Sequence, residues 1–338
     1  MATKLGGVFT ISLDFEMHWG VIPSFTVEQY YDNLEGTPLA IEHTLSLFRQ
    51  YDIHATWATV GFLFSKDKEE LLGLLPSLQP TYEDKNMDSY RFLRKLSTDY
   101  PPHFHFAPDL IEKIKATPHQ EIGTHSFSHY FCLEKGQTPD QFRADLQAAV
   151  SIAEKIGINL QSIVFPRDQY NVAYLKICKE LGITFIRASP SHYIYKPRAR
   201  KVEKRLFFRA MRLLDTYFNL TGHHLVEATT NRGIIDIPAS RKFRPYIKRL
   251  SSLEPFKLQR IKKEMTLAAQ QDKIYHLWWH PHNLGANSKQ NLEQIQAIFE
   301  HYKLLKKQYN FRSLNMQEIG NLYIKATRKH PVSSLTYQ

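Results

Sequence analysis

Apolar residues recur along the chain in short β-type runs, separated by longer stretches with a helical period. Seven runs read as strands: Val8–Asp14, His54–Val60, Glu121–Ser126, Ile163–Arg167, Thr184–Ser189, Ile234–Ser240 and Ile274–His280. Between them, Gln141–Ile156, Val172–Leu181, Phe256–Gln271 and Leu292–Lys307 read as amphipathic helices. In the first of these, Phe142, Leu146, Ala149, Val150 and Ala153 share one face. Thr138-Pro139-Asp140 supplies its cap and first turn, and Gly157 stands where it stops. Strands alternating with helices predict an α/β fold of parallel units. Seven units favour a closed or nearly closed barrel. A doubly wound sheet is the alternative, although the GxGxxG phosphate signature is absent. Pro76–Pro108, polar and punctuated by proline, and the basic Tyr193–Asn231 read as insertions.

The 338 residues are 43% hydrophobic, with 14 Gly and 17 Pro, which excludes a disordered or fibrous chain. They suffice for one large domain over 1–325, with its basic insertion at about 193–231, followed by a tail over 326–338. Two cysteines, Cys132 and Cys178, exclude a disulfide framework and a cysteine-rich zinc module, and are expected as buried fillers. The first apolar run is interrupted by Ser12 and closes at Asp14, too short for a signal peptide. No window approaches the roughly 20 apolar residues of a spanning helix. The expectation is a cytoplasmic protein, with a peripheral position at the inner membrane face as an option.

Charge is unevenly spread. The net charge is +11, yet residues 193–263 alone hold 18 Lys/Arg against five Asp/Glu. Within 196–212 the cations interleave with Leu206, Phe207, Phe208, Met211 and Leu213, the pattern of a basic amphipathic helix. That stretch is a solvated helix face or a surface for anionic lipid or a lipid-linked sugar. Nucleic acid is not expected, because no recognised module accompanies the charge. Arg241, Lys242, Arg244, Lys248 and Arg249 follow the sixth strand, where they can face an acidic glycan.

In a β/α barrel, chemistry gathers at the C-terminal strand ends. The first strand ends Asp14-Phe15-Glu16-Met17-His18, the third His125-Ser126-Phe127-Ser128-His129, the fourth Pro166-Arg167-Asp168, and the last Trp278-Trp279-His280-Pro281-His282-Asn283. Two histidines four apart, on one side of a helical turn, can share a cation. A carboxylate from the first strand completes a two-His-one-carboxylate set suited to Zn²⁺, Fe²⁺, Co²⁺ or Ni²⁺. A cation there lowers the pKa of a water and polarises a carbonyl oxygen. A second carboxylate then serves as base and a histidine from another strand as acid. Each cluster alone has a bland reading as cap, core or surface residue; their coincidence at one end of the barrel makes a site.

These segments resemble the polysaccharide deacetylase (NodB-homology) family of metal-dependent carbohydrate esterases. Ser12-Leu13-Asp14-Phe15-Glu16 is similar to its aspartate-rich first motif, and His125-Ser126-Phe127-Ser128-His129 matches its H-[ST]-x-x-H. Phe165-Pro166-Arg167 is similar to its Arg/Pro motif with the order changed. Leu277-Trp278-Trp279-His280 is similar to the apolar pair leading into its last histidine. The run Ala55–Gly61 looks like its second strand, and the likeness spans roughly 8–282. The resemblance implies a distorted (β/α)7-type barrel with helical insertions and one divalent metal, Zn²⁺ foremost, with Fe²⁺, Co²⁺, Ni²⁺ or Mn²⁺ as alternatives. Glu16, His125 and His129 would hold it, Asp14 would be the base, Arg167 would orient that base, and His280 would be the acid. Trp279, His282 and Asn283 would meet the substrate. The family's adjacent aspartates are here separated by Phe15, and the second is Glu. Positions two apart on a strand still share a face, so the roles of Asp14 and Glu16 can be exchanged. His282 is a second candidate acid, and His18 can replace a ligand. The implied reaction removes an N-acyl group, N-acetyl foremost, from an amino sugar of a glycan or lipid-linked precursor. The rivals are an amidase acting on a small cyclic or formyl amide, and a non-catalytic protein that binds carbohydrate or anionic membrane.

Overall fold

The computed structural model describes residues 5–198 and 206–329. Ten strands belong to one sheet: β1 (Val8–Phe15), β2 (Ala55–Thr59), β3 (Gln120–Thr124), β4 (Ser162–Val164), β5 (Phe185–Arg187), β6 (Thr229–Asn231), β7 (Ile234–Asp236), β8 (Arg241–Lys242), β9 (Ile274–Trp279) and β10 (Arg312–Ser313). The order is β6-β7-β5-β4-β3-β2-β1-β9-β8, with β10 beside the start of β1. All pairs are parallel except the β6–β7 hairpin.

The two ends of this order meet in a single chain segment. Ala239 N–H donates to Ala188 O beyond β5 (2.8 Å), and the next residue, Ser240, donates to His276 O of β9 (2.8 Å). β7 and β8 are thus two halves of one broken strand, which passes from β5 to β9 and gives the ring seven positions. The chain is a distorted (β/α)7-type barrel with helical insertions, as the alternating runs predict. The seven sequence runs coincide with β1–β5, β7 and β9.

Alternation along the strands divides two apolar layers. Phe9, Ile11, Leu13 and Phe15 of β1, with Trp57, Ile122, Ile163, Tyr275 and Leu277, point outward and join the large core beneath the helices. Those helices are α1 (Tyr31–Tyr51), α2 (Lys68–Gly73), α3 (Ser89–Lys95), α4 (Pro108–Lys115), α5 (Pro139–Lys155), α6 (Val172–Glu180), α7 (Leu206–Tyr217), α8 (Glu254–Gln270), α9 (Ser288–Tyr309) and α10 (Met316–Lys329). Helix α5 starts with the capping box expected at Thr138, closed by Gln141. Val8, Ala58, Val164, Phe185, Ile235, Ile237 and Ile274 face inward and meet Met316 and Ile319 of α10, which plugs the N-terminal end of the barrel. Glu121 reaches the start of that helix from inside the ring, accepting from Gln317 N–H (3.0 Å) and Thr56 Oγ1 (2.6 Å). Helix α10 runs to Lys329, so the expected domain end at 325 falls within a helix that belongs to the barrel; residues 330–338 lie outside the described residues.

Of the basic stretch 196–212, residues 199–205 also lie outside the described residues. Arg241 does not face a glycan. It is buried, forks onto Glu264 of α8 at 2.7 Å through both Nε and Nη2, and lies 3.4 Å from Asp215 of α7. Arg260 joins the same pair of carboxylates. Part of the positive charge is therefore structural, pinning α7 and α8 to the barrel. Both cysteines are buried.

Candidate active site

Glu16 follows the last residue of β1 and is 4% exposed. Four imidazoles surround its carboxylate. On Oε2 are His125 Nε2 (3.2 Å) and His129 Nε2 (2.9 Å); on Oε1 are His280 Nε2 (3.3 Å) and His282 Nε2 (3.7 Å). Three loops from the C-terminal strand ends thus converge, as their common position in the barrel predicts. Burial opposes ionisation of Glu16, but His280, His129 and His125 outweigh it and hold its carboxyl well below the usual range. His125 Nδ1–H donates to Val164 O (2.8 Å), which leaves Nε2 as the lone-pair nitrogen facing Glu16. Glu16 Oε2, His125 Nε2 and His129 Nε2 therefore form a compact two-nitrogen, one-oxygen donor set that fits a divalent transition metal.

The loop carrying the two histidines is held in an uncommon backbone conformation. Ser126 and His129 are left-handed (φ 63° and 61°), at a cost of about 1–3 kcal/mol each. Asp145 of α5 offsets that cost: its carboxylate accepts from Phe127 N–H (2.8 Å), Ser128 Oγ and Tyr90 Oη (2.7 Å). Tyr82 Oη accepts from Phe131 N–H (2.8 Å). Tyr82 and Tyr90 belong to the 76–108 insertion, which thus buttresses the histidine loop. Close approach is required on two sides. A Cβ on Gly61 would lie 2.3 Å from the Phe127 ring, and one on Gly20 would lie 2.0 Å from the Glu16 carboxyl carbon.

Asp14, at an inward position of β1, is 3% exposed. The guanidinium bonded to it is that of Arg187, not Arg167. Arg187 ends β5, donates to both Asp14 oxygens (2.7 and 2.9 Å) and to Ser12 Oγ (2.9 Å), and lies 3.4 Å from Asp168. Burial raises the Asp14 carboxyl, but Arg187, His125 and His280 outweigh it, so the group is held below its ordinary value. Arg167 occupies a left-handed position (φ 55°). Its guanidinium lies over the Phe131 ring (4.7 Å), 4.0 Å from Glu134. The fourth strand ends three residues before it, so the turn carries Arg167 away from Asp14.

The last strand brings three further corrections. Trp279 is 1% exposed and packs outward against Phe48 and Phe243. It pairs in register with outward Leu13, whereas Trp278 pairs with inward Ser12. The tryptophan beside the site is therefore Trp278, which has Arg187 over its ring at 4.3 Å and His280 edge-on at 5.4 Å. Asn283 is engaged within the protein. Tyr30 Oη donates to its Oδ1, and its Nδ2 donates to His280 Nδ1 (3.2 Å). That bond sets the neutral His280 tautomer with its proton on Nε2, facing Glu16 and, at 3.7 Å, Asp14. His282 is buried at 2% exposure and turned to Glu16. His18 replaces no ligand: Nδ1 pairs with His105 Nε2 (2.9 Å) and Nε2 donates to Phe25 O (3.2 Å).

The seven-position barrel thus carries at its C-terminal mouth a buried carboxylate, four histidines and an arginine-clamped aspartate, a donor set that could hold a cation. In sequence, residues 24–186 match the polysaccharide deacetylase family model. The matched stretch contains the His125–His129 motif. No curated protein matches the chain in sequence. Among solved structures, it is similar to a Mycobacterium smegmatis protein described as a polysaccharide deacetylase (13% identity, 98% of this chain and 95% of the other, TM-score 0.57). It is likewise similar to one from Pseudomonas aeruginosa PAO1 (12%, 96% and 92%, 0.51) and to the PuuE allantoinase (13%, 96% and 91%, 0.52). At these identities the likeness concerns the fold.

Proposed function

We propose that the protein is a metal-dependent hydrolase that removes an N-acyl group, N-acetyl foremost, from an amino sugar of a glycan or lipid-linked precursor. The observation that carries this reading is the convergence of Glu16, His125 and His129 beside the arginine-clamped Asp14. Glu16, His125 and His129 hold the cation, Zn²⁺ foremost. When bound it polarises the acyl oxygen and eases deprotonation of water. Asp14, kept anionic by Arg187, takes a proton from the water that adds to the acyl carbon. His280, in its imidazolium form, delivers its Nε2 proton to the departing nitrogen as the C–N bond breaks, and the proton that Asp14 has taken from the water then restores it. A carboxylate and a free amine result. Asp14 is read as the base and Glu16 as the ligand because the histidine nitrogens gather on Glu16, whereas both oxygens of Asp14 are taken by Arg187.

The partner surface belongs to the same proposal. Leu206 and Phe207 at the start of α7 are 78% and 56% exposed, and the sequence of the 196–212 stretch is rich in Lys and Arg. This supports contact with an anionic membrane surface by a protein acting on a lipid-linked sugar. Among the described residues no helix is long and apolar enough to cross a membrane. The test is hydrolysis of a panel of N-acetylated and N-formylated amino sugars, with a small cyclic amide as the competing substrate class. Turnover of an N-acyl sugar, reduced by about 10²–10⁴ in Asp14→Asn at unchanged metal content, is expected. Full activity in that variant removes Asp14 as the base.

A further inference from the structure

Two cations at the mouth of the barrel have no role in the site described so far. Alternation turns Arg241 and Phe243 outward, one to Glu264 and the other to Trp279. It leaves Lys242 and Arg244 on the barrel side, roughly 7 Å apart along an extended segment. Lys242 pairs in register with Trp278 and holds its Nζ 4.9 Å from that ring's centre. The same ring is edge-on to His280, so Lys242 stands at the rim of the proposed reaction centre. Both side chains are half-buried. Among the described residues, neither has a carboxylate within 4 Å of its charged nitrogens, whereas the neighbouring Arg187, Arg241, Lys257 and Arg260 are all paired.

Charges of one sign held half-buried without partners are costly unless something of opposite sign completes them. The cost is visible in the protonation equilibria. Burial, with Arg244 beside it, brings Lys242 down to about 8. Burial, with Arg212 and Arg209 of α7 nearby, also lowers Arg244. The carboxylates that act on Lys242 are those of Asp14 and Glu16, but Arg187 and the histidines already pair with them. Among the described residues, neither side chain forms an ion pair that ties two elements together as Arg241 does.

We propose that Lys242 and Arg244 form an anion subsite beside the metal-binding residues, so that the substrate is an N-acyl amino sugar carrying a phosphate or carboxylate group close to its acylated nitrogen. This rests on the deacylase reading above and narrows it. The fork of Arg244 suits a planar pair of oxygens, and Lys242 supplies a point charge. The Trp278 ring touches both Lys242 and His280.

Calorimetric titrations of the metal-stripped protein at low salt test the subsite without turnover and without phosphate binding to a metal. The ligands are N-acetylglucosamine 1-phosphate, N-acetylmuramic acid, neutral N-acetylglucosamine and inorganic phosphate. The anionic sugars are expected to bind at least about tenfold more tightly than the neutral one. That preference should vanish in Lys242→Gln/Arg244→Gln and partly return in Lys242→Arg/Arg244→Gln, with all proteins melting as wild type. The stronger of the two anionic sugars identifies the group as phosphate or carboxylate. Equal affinity for charged and neutral sugars, or a preference that survives in the double glutamine variant, overturns the proposal. Inorganic phosphate binding as tightly as the phosphosugar, and lost in the double variant, upholds the anion subsite while counting against a sugar as its occupant.

Discussion

Replacing Arg187 by Met is the perturbation that most sharply separates the observed site from one built on Arg167. Arg187 is 1% exposed and makes two short bonds to Asp14, one to Ser12 and a longer one to Asp168. Removing it leaves Asp14 buried without its principal counter-charge, a loss of about 3–5 kcal/mol for breaking a buried pair. For a chain of 338 residues that is a fall in Tm of about 4–7 °C. Asp14 is held below its ordinary pKa against burial, with Arg187 the largest of the opposing influences. Without it the carboxyl rises, and the acid limb of the pH–activity profile should move up by about 1–3 units. Arg167→Met should change Tm by only about 1–2 °C and leave the acid limb in place, because its 4.0 Å approach to Glu134 is a weak pair. Calorimetric melting and kcat/KM across pH 5–9 for both variants provide the assay. An unshifted acid limb and wild-type stability in Arg187→Met, with inactivity in Arg167→Met, would refute the reasoning.

Two further outcomes follow from the interior. His276 is buried inside the ring, donating from Nδ1 to Ile237 O and accepting at Nε2 from Ser12 Oγ. Burial and then Arg187 lower it from 6.5 to about 3. The unfolded chain therefore takes up a proton below pH 6.5 that the folded chain refuses. Stability is lost as pH falls from 6.5 toward 3, by about 2 kcal/mol at pH 5 from this group alone. Denaturant titrations at pH 7 and pH 5 should show that decrement shrinking in His276→Gln; an unchanged pH dependence would count against it. Gly20→Ala places a Cβ where the Glu16 carboxyl lies. Equilibrium dialysis should then find metal affinity about 10- to 100-fold weaker, and unaltered affinity would contradict the assigned position of Glu16.

Much of the architecture was legible because it depends on period. The apolar runs marked all seven ring positions, and the strand-end rule brought Asp14, Glu16, His125, His129 and His280 together before any coordinates. What stayed hidden were partners fixed by tertiary packing. Arg187 sat in plain view in Phe185-Ile186-Arg187; a lone charge in a buried strand demands a carboxylate, but nothing local names Asp14. Trp278 and Trp279 were distinguishable only through register, since one residue of slip exchanges the two faces. Asp145 reads as an ordinary polar position of an amphipathic helix, yet it clamps the histidine loop. The Pro166–Asp168 turn has positive φ at Arg167 and Asp168, and this redirects an arginine that motif order alone assigns to the base. At the C-terminus, α10 is not among the helices read from the sequence, and its Met316 and Ile319 find their apolar partners at the open end of the barrel.

The claim on which the account turns is that Glu16, His125 and His129 hold one catalytic cation. Elemental analysis of the purified protein and of Glu16→Gln and His125→Ala/His129→Ala tests it most directly. About one transition metal per wild-type chain, absent from both variants, is the predicted result. A wild-type protein that takes up no metal even after reconstitution, or variants that retain it in full, would contradict the account.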